Sequence, residues 1–213
     1  MPRFDKRSLV DLIYEDLRRD ILSLKYPFGG KINVNKLQSE LEVSCTPIRE
    51  AINRLQQEGL ITYKNKVGAQ VLSIGPHDVK SIQELAMTLH CAAIKYALLR
   101  GDHTAIVIEL KKYRDAFSKA KSPEAEVSAV NQFVGVFYHN CGNERLDNTM
   151  ISIQGLQLLL RNMYARAGAN RDADLKDFDM IIKETESGNS EKVCEILQSN
   201  ADRLTEKVLS TIS

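Results

Sequence analysis

The stretch from Lys36 to Leu60, KLQSELEVSCTPIREAINRLQQEGL, decides the fold of the N-terminal part of this 213-residue chain. It predicts two short helices joined by a tight turn at residues 43–45. The second helix opens with small hydroxyl residues and then presents Arg49 and Arg54 on its polar side. A helix of this kind fits end-on into the major groove of DNA. The pattern therefore predicts a helix-turn-helix that binds double-stranded DNA.

The preceding segment supplies a further helix. From Ser8 onward apolar residues recur with a period close to 3.6, and Asp11 stands three residues after Ser8 as in a capping box. Proline and glycine in Tyr26–Gly30 end this helix. Either Asn33 or Asn35 caps the short helix that follows. The quoted stretch therefore contains the second and third of three predicted helices.

A β-hairpin follows the third helix. Ser44 is the expected N-terminal cap of that helix, and Gly59 ends it. The segment LITYKNKVGAQVLSI then alternates apolar and polar residues on both sides of a turn at residues 64–68. Three helices followed by a hairpin predict a winged helix-turn-helix domain in residues 1–75.

The rest of the chain, residues 76–213, shows a helical pattern throughout. Gly75-Pro76 marks the boundary between the two domains. Six helices are predicted, near residues 77–99, 103–120, 123–141, 144–167, 173–187 and 190–211. Their short connections indicate an antiparallel six-helix bundle. The predicted fold class is therefore mainly α, with one small hairpin.

The charge distribution and the cysteine pattern predict the partner and the cellular compartment of the protein. Residues 1–75 carry a formal charge of +3 and residues 76–213 one of −2, which favours a nucleic-acid partner for the first part. The four cysteines are scattered, as expected in a reducing cytoplasm. The beginning, MPRFDKRSLV, lacks the apolar core of an export signal, and no apolar run approaches the roughly 20 residues that span a membrane.

The order of these parts resembles the GntR family of bacterial transcription regulators, in the subfamily with an all-helical, FadR-type (FCD) C-terminal domain. The resemblance is specific over about residues 8–74, and weaker but consistent in position beyond them. It implies a homodimer that binds a palindromic DNA operator and responds to a small-molecule effector. The residues that carry it are Leu37, Val43–Ala51, Leu55, Glu58–Leu60, Gly68-Ala69, Gly142-Asn143 and Ser187–Asn189.

The resemblance also implies roles on the third helix. Ser44, Thr46 and Arg49 match positions that in the family approach phosphates or base edges. Each has a simpler alternative: Ser44 as a helix cap only, Thr46 as a solvent-exposed residue, and Arg49 as a surface ion pair with Glu50 or Glu42. Cys45 stands where the family usually has an arginine that reads guanine. Cysteine cannot form that bidentate contact, so the operator of the family does not carry over.

Further candidates lie beyond the first turns of that helix. Arg54 is either a phosphate contact or a structural residue. Lys64 and Lys66, at the tip of the hairpin, either solubilise it or contact the DNA backbone. Gly68 matches a glycine that in the family lies close to the minor groove.

Many regulators of this subfamily hold a divalent metal through one aspartate and three histidines. Aligning on the two glycine motifs places Val130, Val134, Phe178 and Asn200 at those positions. Three of these side chains offer no lone pair, so no metal and no other cofactor is predicted.

Two alternatives remain for the bundle. One is a metal-free effector pocket, more apolar than usual in the family, lined by Ala86, His90, Val130, Val134, Arg161, Phe178 and Asn200. The other is a bundle filled by apolar residues, which dimerises but binds no effector. Arg161 is paired internally, faces solvent or awaits an anionic effector. No nucleophile–base pair, phosphate loop or carboxylate pair at a useful spacing appears, so an enzyme is not predicted.

Overall fold

The computed structural model describes residues 8–212, so the segment 1–7, on which the expectation about an export signal largely depends, lies outside it. The chain divides into two compact units, one ending at Ile74 and the other beginning at Gly75. Within the described range no helix is long and apolar enough to cross a membrane.

Three helices form the first unit: α1 (Leu9–Leu22), α2 (Val34–Leu41) and α3 (Cys45–Gln57). The predicted capping box of α1 is confirmed, and Asn33 rather than Asn35 is the cap of α2. Gly59 follows α3 with a φ of +75°, a conformation that favours glycine after a helix. These local signals fix the helix ends. Apolar side chains from all three helices then form one core, among them Ile13, Leu17, Leu37, Ile48, Ile52 and Leu55.

The predicted hairpin is confirmed. Strands β1 (Ile61–Lys64) and β2 (Gly68–Val71) pair antiparallel, with Lys64 opposite Gly68. The other edge of β2 pairs with residues 29–32, which the sequence did not predict: the Ile32 amide donates to the Ala69 carbonyl at 2.9 Å. We call residues 61–71 the wing. Its inner strand is hydrogen-bonded on both edges.

Six helices form the second unit, as predicted, within the part of the chain that the structure describes. They are α4 (Pro76–Arg100), α5 (His103–Lys119), α6 (Pro123–Asn140), α7 (Glu144–Arg166), α8 (Arg171–Glu186) and α9 (Ser190–Ile212). Buried residues from several of these helices make a continuous apolar core, with Phe133 and Phe178 stacked 4.4 Å apart near its centre.

A buried ionic cluster joins α8 to α9. Asp174 and Asp177 are 5% and 8% exposed. Arg203 donates to Asp174 at 2.8 Å and also forms an ion pair with Asp177. The Asn200 amide donates to the same two carboxylates at 3.1 and 3.0 Å, and the Tyr164 hydroxyl donates to Asp174 at 3.3 Å. Both carboxylates therefore have cationic or amide partners despite their burial.

Candidate DNA-binding surface and bundle cavity

The first turn of α3 is open to solvent. Ser44 is at the N-cap position, as predicted, but its side chain makes no capping hydrogen bond. Ser44 and Thr46 are both exposed. Backbone amides at a helix N-terminus favour anions, so this turn can receive a phosphate.

Arg49 lies one turn further along α3 and is exposed. Within residues 8–212 it forms no ion pair, so the alternative of a pair with Glu50 or Glu42 does not describe this structure. Arg49 lines a cleft of about 370 Å³ between α3 and the wing. Sequence reasoning did not place four polar side chains in this cleft: Lys31, Asn33, Asn35 and Tyr63. Asn33 and Asn35 gave only a helix-capping signal, Tyr63 gave only a strand signal, and Lys31 gave none.

Arg54 has a partner inside its own unit. Its guanidinium donates to the Asp11 carboxylate at 2.6 Å and so joins α3 to α1. The hydrogen bond from Ser8, together with the one from Arg54, lowers the pKa of Asp11 to about 2. Arg54 is 48% exposed in its side chain, so the pair leaves one face in solvent. This arrangement supports the structural role among the two alternatives.

The tip of the wing presents the other candidates. Lys64 and Lys66 are exposed, and Lys66 has a φ of +65°. Gly68 has a φ of +94°, and no heavy atom of the described chain lies within 4 Å of the place where a Cβ would be. This side of Gly68 is therefore open to the close approach of another backbone.

We expect Lys66→Ala to weaken binding to every DNA sequence by a similar factor. Each lost phosphate contact reduces the slope of log affinity against log salt by about 0.9 for duplex DNA. Titrations at several salt concentrations, by fluorescence anisotropy, measure that slope. Lys25→Ala is the control, because Lys25 lies in the same unit and already pairs with Asp20 at 2.7 Å. A slope unchanged in Lys66→Ala would place Lys66 away from phosphate.

Four of the predicted effector residues come together in the second unit. One cavity is lined by Val130, Arg161, Phe178 and Asn200. Asp174 of the ionic cluster and its hydrogen-bond donor Tyr164 also line it. Ala86, His90 and Val134 are buried but are not part of its lining. The cavity holds about 30 Å³. That volume suits one water molecule and is far below the roughly 300 Å³ of a small-ligand pocket.

Arg161 gives this cavity an uncompensated charge. Among the described residues it forms no hydrogen bond and no ion pair; the carboxylate of Asp174 acts on it only at longer range. Burial lowers the pKa of Arg161 to about 10, so the group is still a cation at neutral pH. Arg161 is half-buried. A partly desolvated cation without a partner among the described residues is unfavourable, and positions of this kind are candidate ligand sites.

His90 lies within the electrostatic reach of Arg161. Burial and the charge of Arg161 lower the pKa of His90 to about 3, so the imidazole is neutral. Its Nδ1 atom is 2.8 Å from the Tyr138 hydroxyl. Its Nε2 atom is buried and has no hydrogen-bond partner within residues 8–212. A second polar group of this unit is thus unsatisfied within the described residues.

The residues at the family's metal positions do not fit a divalent ion. Val130, Val134 and Phe178 offer no donor atom, and Asn200 donates its amide to two carboxylates. The guanidinium of Arg203 already supplies the positive charge between those carboxylates. In the part of the chain that the structure describes, no three His, Cys, Asp or Glu side chains converge.

Comparison with known proteins identifies relatives of the chain. Residues 9–71 match the family model described as bacterial regulatory proteins, gntR family. The chain is 24% identical to the uncharacterized HTH-type transcriptional regulator YdhC of Bacillus subtilis over 84% of this chain and 81% of that protein. It is 28% identical to the uncharacterized regulator BphR of Paraburkholderia xenovorans over 48% of this chain, which spans only 42% of BphR.

Solved structures share the fold. Escherichia coli McbR/YncC superposes with a TM-score of 0.76 at 16% identity, over 97% of this chain and 100% of that one. A GntR-type chain from Rhodococcus sp. RHA1 gives a TM-score of 0.75 at 17% identity, over 96% and 99% of the two chains. The mainly helical architecture with one small hairpin is therefore a known arrangement.

Proposed function

We propose that the chain is a GntR-type helix-turn-helix regulator, because its residues 9–71 match the gntR family model. It binds a palindromic operator in double-stranded DNA, as a homodimer, in the cytoplasm. The observation that carries this proposal is Arg49, which is exposed in the cleft between α3 and the wing and has no ion-pair partner within residues 8–212. An arginine so placed suits both guanine edges and phosphate.

Selection of binding sites from a random pool of double-stranded DNA tests the proposal. We expect enrichment of a palindrome whose half-sites are about one helical turn apart, since two copies related by symmetry contact two half-sites. A pool without sequence enrichment, or one enriched in a single half-site, would contradict it.

An apolar line on α4 supports a homodimer. Leu85, Ala92 and Leu99 recur every seven residues, and Leu85 and Leu99 are 46% and 71% exposed. A seven-residue repeat of this kind places apolar side chains along one face of a helix, where a second helix can pack. We propose that a second copy of the chain covers this face.

Leu99→Glu is expected to shift the protein toward monomer, because a carboxylate in an apolar interface loses its hydration. Sedimentation equilibrium over a range of concentrations measures the dissociation constant, with an expected increase of at least tenfold. Ile108→Glu is the matched control, because Ile108 on α5 is 65% exposed but lies on another helix. A larger effect from Ile108→Glu would move the interface to α5.

We further propose that the bundle is of the FCD type and that its effector is a small anion bound at Arg161. The support is the half-buried cation, which has no partner among the described residues, together with the unsatisfied Nε2 atom of His90 within its electrostatic reach. Since the cavity holds only about 30 Å³, its walls must move apart to admit a molecule larger than water. The bound anion would supply the missing counter-charge.

Arg161→Met separates this proposal from the filled bundle. We expect the free energy of unfolding in urea to rise by about 1–2 kcal/mol, since the cation without a partner is removed while its volume is roughly kept. Carboxylates and phosphates should raise the melting temperature of the original protein by mass action but not that of the variant.

Arg166→Met is the control, because Arg166 pairs with Glu124 at 2.8 Å and is 42% exposed. A broad panel of anions that leaves the melting temperature of the original protein unchanged would favour the filled bundle.

A further inference from the structure

Two thiols lie on neighbouring helices of the second unit, α4 and α9, and neither lines the bundle cavity. Cys91 is on α4, Cys194 is on α9, and both are half-buried. α4 packs against α9, and across this interface the Cys194 thiol lies close enough to the Cys91 sulfur to interact with it. From this juxtaposition we propose that Cys91 and Cys194 are a redox pair that forms a reversible disulfide on exposure to a hydroperoxide.

Access distinguishes Cys91 from Cys141. It lines an open groove of about 610 Å³ between α4 and α9, together with residues such as Met87, Gln198 and Asp202. A small oxidant reaches the thiol through this groove. Cys141, in contrast, is fully buried, and its thiol donates to the Asn143 carbonyl.

The two thiols also differ in reactivity. The hydrogen bond from Cys194 lowers the pKa of Cys91 to about 7, although burial acts in the opposite direction. The same hydrogen bond, together with burial, raises the pKa of Cys194. Since the thiolate is the nucleophile, a large fraction of Cys91 is reactive at neutral pH while Cys194 stays protonated. Cys91 therefore reacts first and Cys194 second.

The chemistry has two balanced steps. The Cys91 thiolate attacks one oxygen of the hydroperoxide, the O–O bond breaks, and the sulfur becomes a sulfenic acid while hydroxide or alkoxide leaves. The Cys194 sulfur then attacks the Cys91 sulfur, an S–S bond forms, and water departs with the Cys194 proton. Peroxide accepts the two electrons, and a dithiol reductant reverses the product. Because a disulfide needs an S–S distance of about 2.05 Å, α4 and α9 must adjust locally.

Peptide mapping of the full-length protein after treatment with hydrogen peroxide tests the pair. We expect one linkage, Cys91 to Cys194 within a single subunit, while Cys45 and Cys141 remain open to alkylation after unfolding. Dithiothreitol should restore both thiols. The linkage closes a loop of roughly 100 residues, so the melting temperature of the oxidised protein should rise by several degrees.

Two variants assign the order of the steps. Cys194→Ser should accumulate a sulfenic acid at Cys91, trapped by dimedone, and form no linkage. Cys91→Ser should leave Cys194 unmodified at the same dose of peroxide. The proposal is overturned if Cys45 or Cys141 oxidises faster than Cys91 in the original protein, if the linkage joins two subunits, or if Cys194 reacts equally without Cys91. Even if a variant does not fold, the peptide map of the original protein shows whether Cys91 and Cys194 form the linkage.

Discussion

Replacing Arg203 by methionine is expected to lower the free energy of unfolding by about 3–5 kcal/mol at neutral pH, because it leaves two buried carboxylates without their cation. Arg203 pairs with both Asp174 and Asp177, whose side chains are only 7% and 11% exposed. The Asn200 amide would then be left between both negative charges, with only the Tyr164 hydroxyl as a further donor to Asp174. Urea denaturation followed by circular dichroism measures the loss.

The loss at Arg203→Met should shrink as the pH falls. Burial already raises the pKa of Asp174, and removal of the guanidinium raises it further. A carboxyl whose pKa is higher in the folded state binds a proton that the unfolded chain does not, so it destabilises the fold as the pH rises through that range. Acidification from pH 7 toward 5 therefore restores part of the stability of the variant relative to the original protein.

Arg114→Met provides the matched control for Arg203→Met. Arg114 also bridges two helices, with hydrogen bonds of 2.9 and 3.0 Å to Asp179, but that carboxylate is 56% exposed. An exposed pair contributes about 1 kcal/mol or less. Equal losses in the two variants, or a loss at Arg203→Met that does not depend on pH, would show that burial of the cluster is not the cause.

Arg49→Ala is expected to weaken operator binding by roughly 5- to 150-fold, the equivalent of about 1–3 kcal/mol for a base-edge contact. Affinity for a scrambled duplex should fall much less, because a base-edge contact carries sequence information that a phosphate contact lacks. Gel-shift titrations with the selected operator and its scrambled form measure both values.

Arg19→Ala is the control for Arg49→Ala. Arg19 is 68% exposed in its side chain and pairs with Asp16 at 2.9 Å on α1. Its removal should leave both affinities unchanged. An equal loss on both duplexes for Arg49→Ala would assign Arg49 to phosphate, and no loss would remove it from the DNA-binding surface.

Helix ends were predictable because local residues determine them. Ser8 with Asp11 fixes the start of α1, and Gly59 fixes the end of α3, whatever the rest of the chain does. The pairing of residues 29–32 with β2 was not predictable, since a glycine-rich segment hydrogen-bonds through its backbone and leaves no side-chain period.

The bundle cavity was predictable only in part. Val130, Arg161, Phe178 and Asn200 meet there, whereas His90 packs elsewhere in the core, because the register between helices follows from the packing of the whole bundle. The ionic cluster was missed altogether. Its signal was present in Asp174 and Asp177, three residues apart on a helix with apolar neighbours.

The wing has a mechanical consequence for complex formation. Because β2 is held between β1 and residues 29–32, both strands are anchored to the helical body before any DNA arrives. Only the three tip residues, 65–67, lie outside the two strands, and the Val67 amide still donates to the Lys64 carbonyl at 3.1 Å. Binding of the wing to DNA therefore needs little further ordering of the chain. A flexible segment would lose conformational entropy on binding the duplex, whereas the wing has lost most of it on folding.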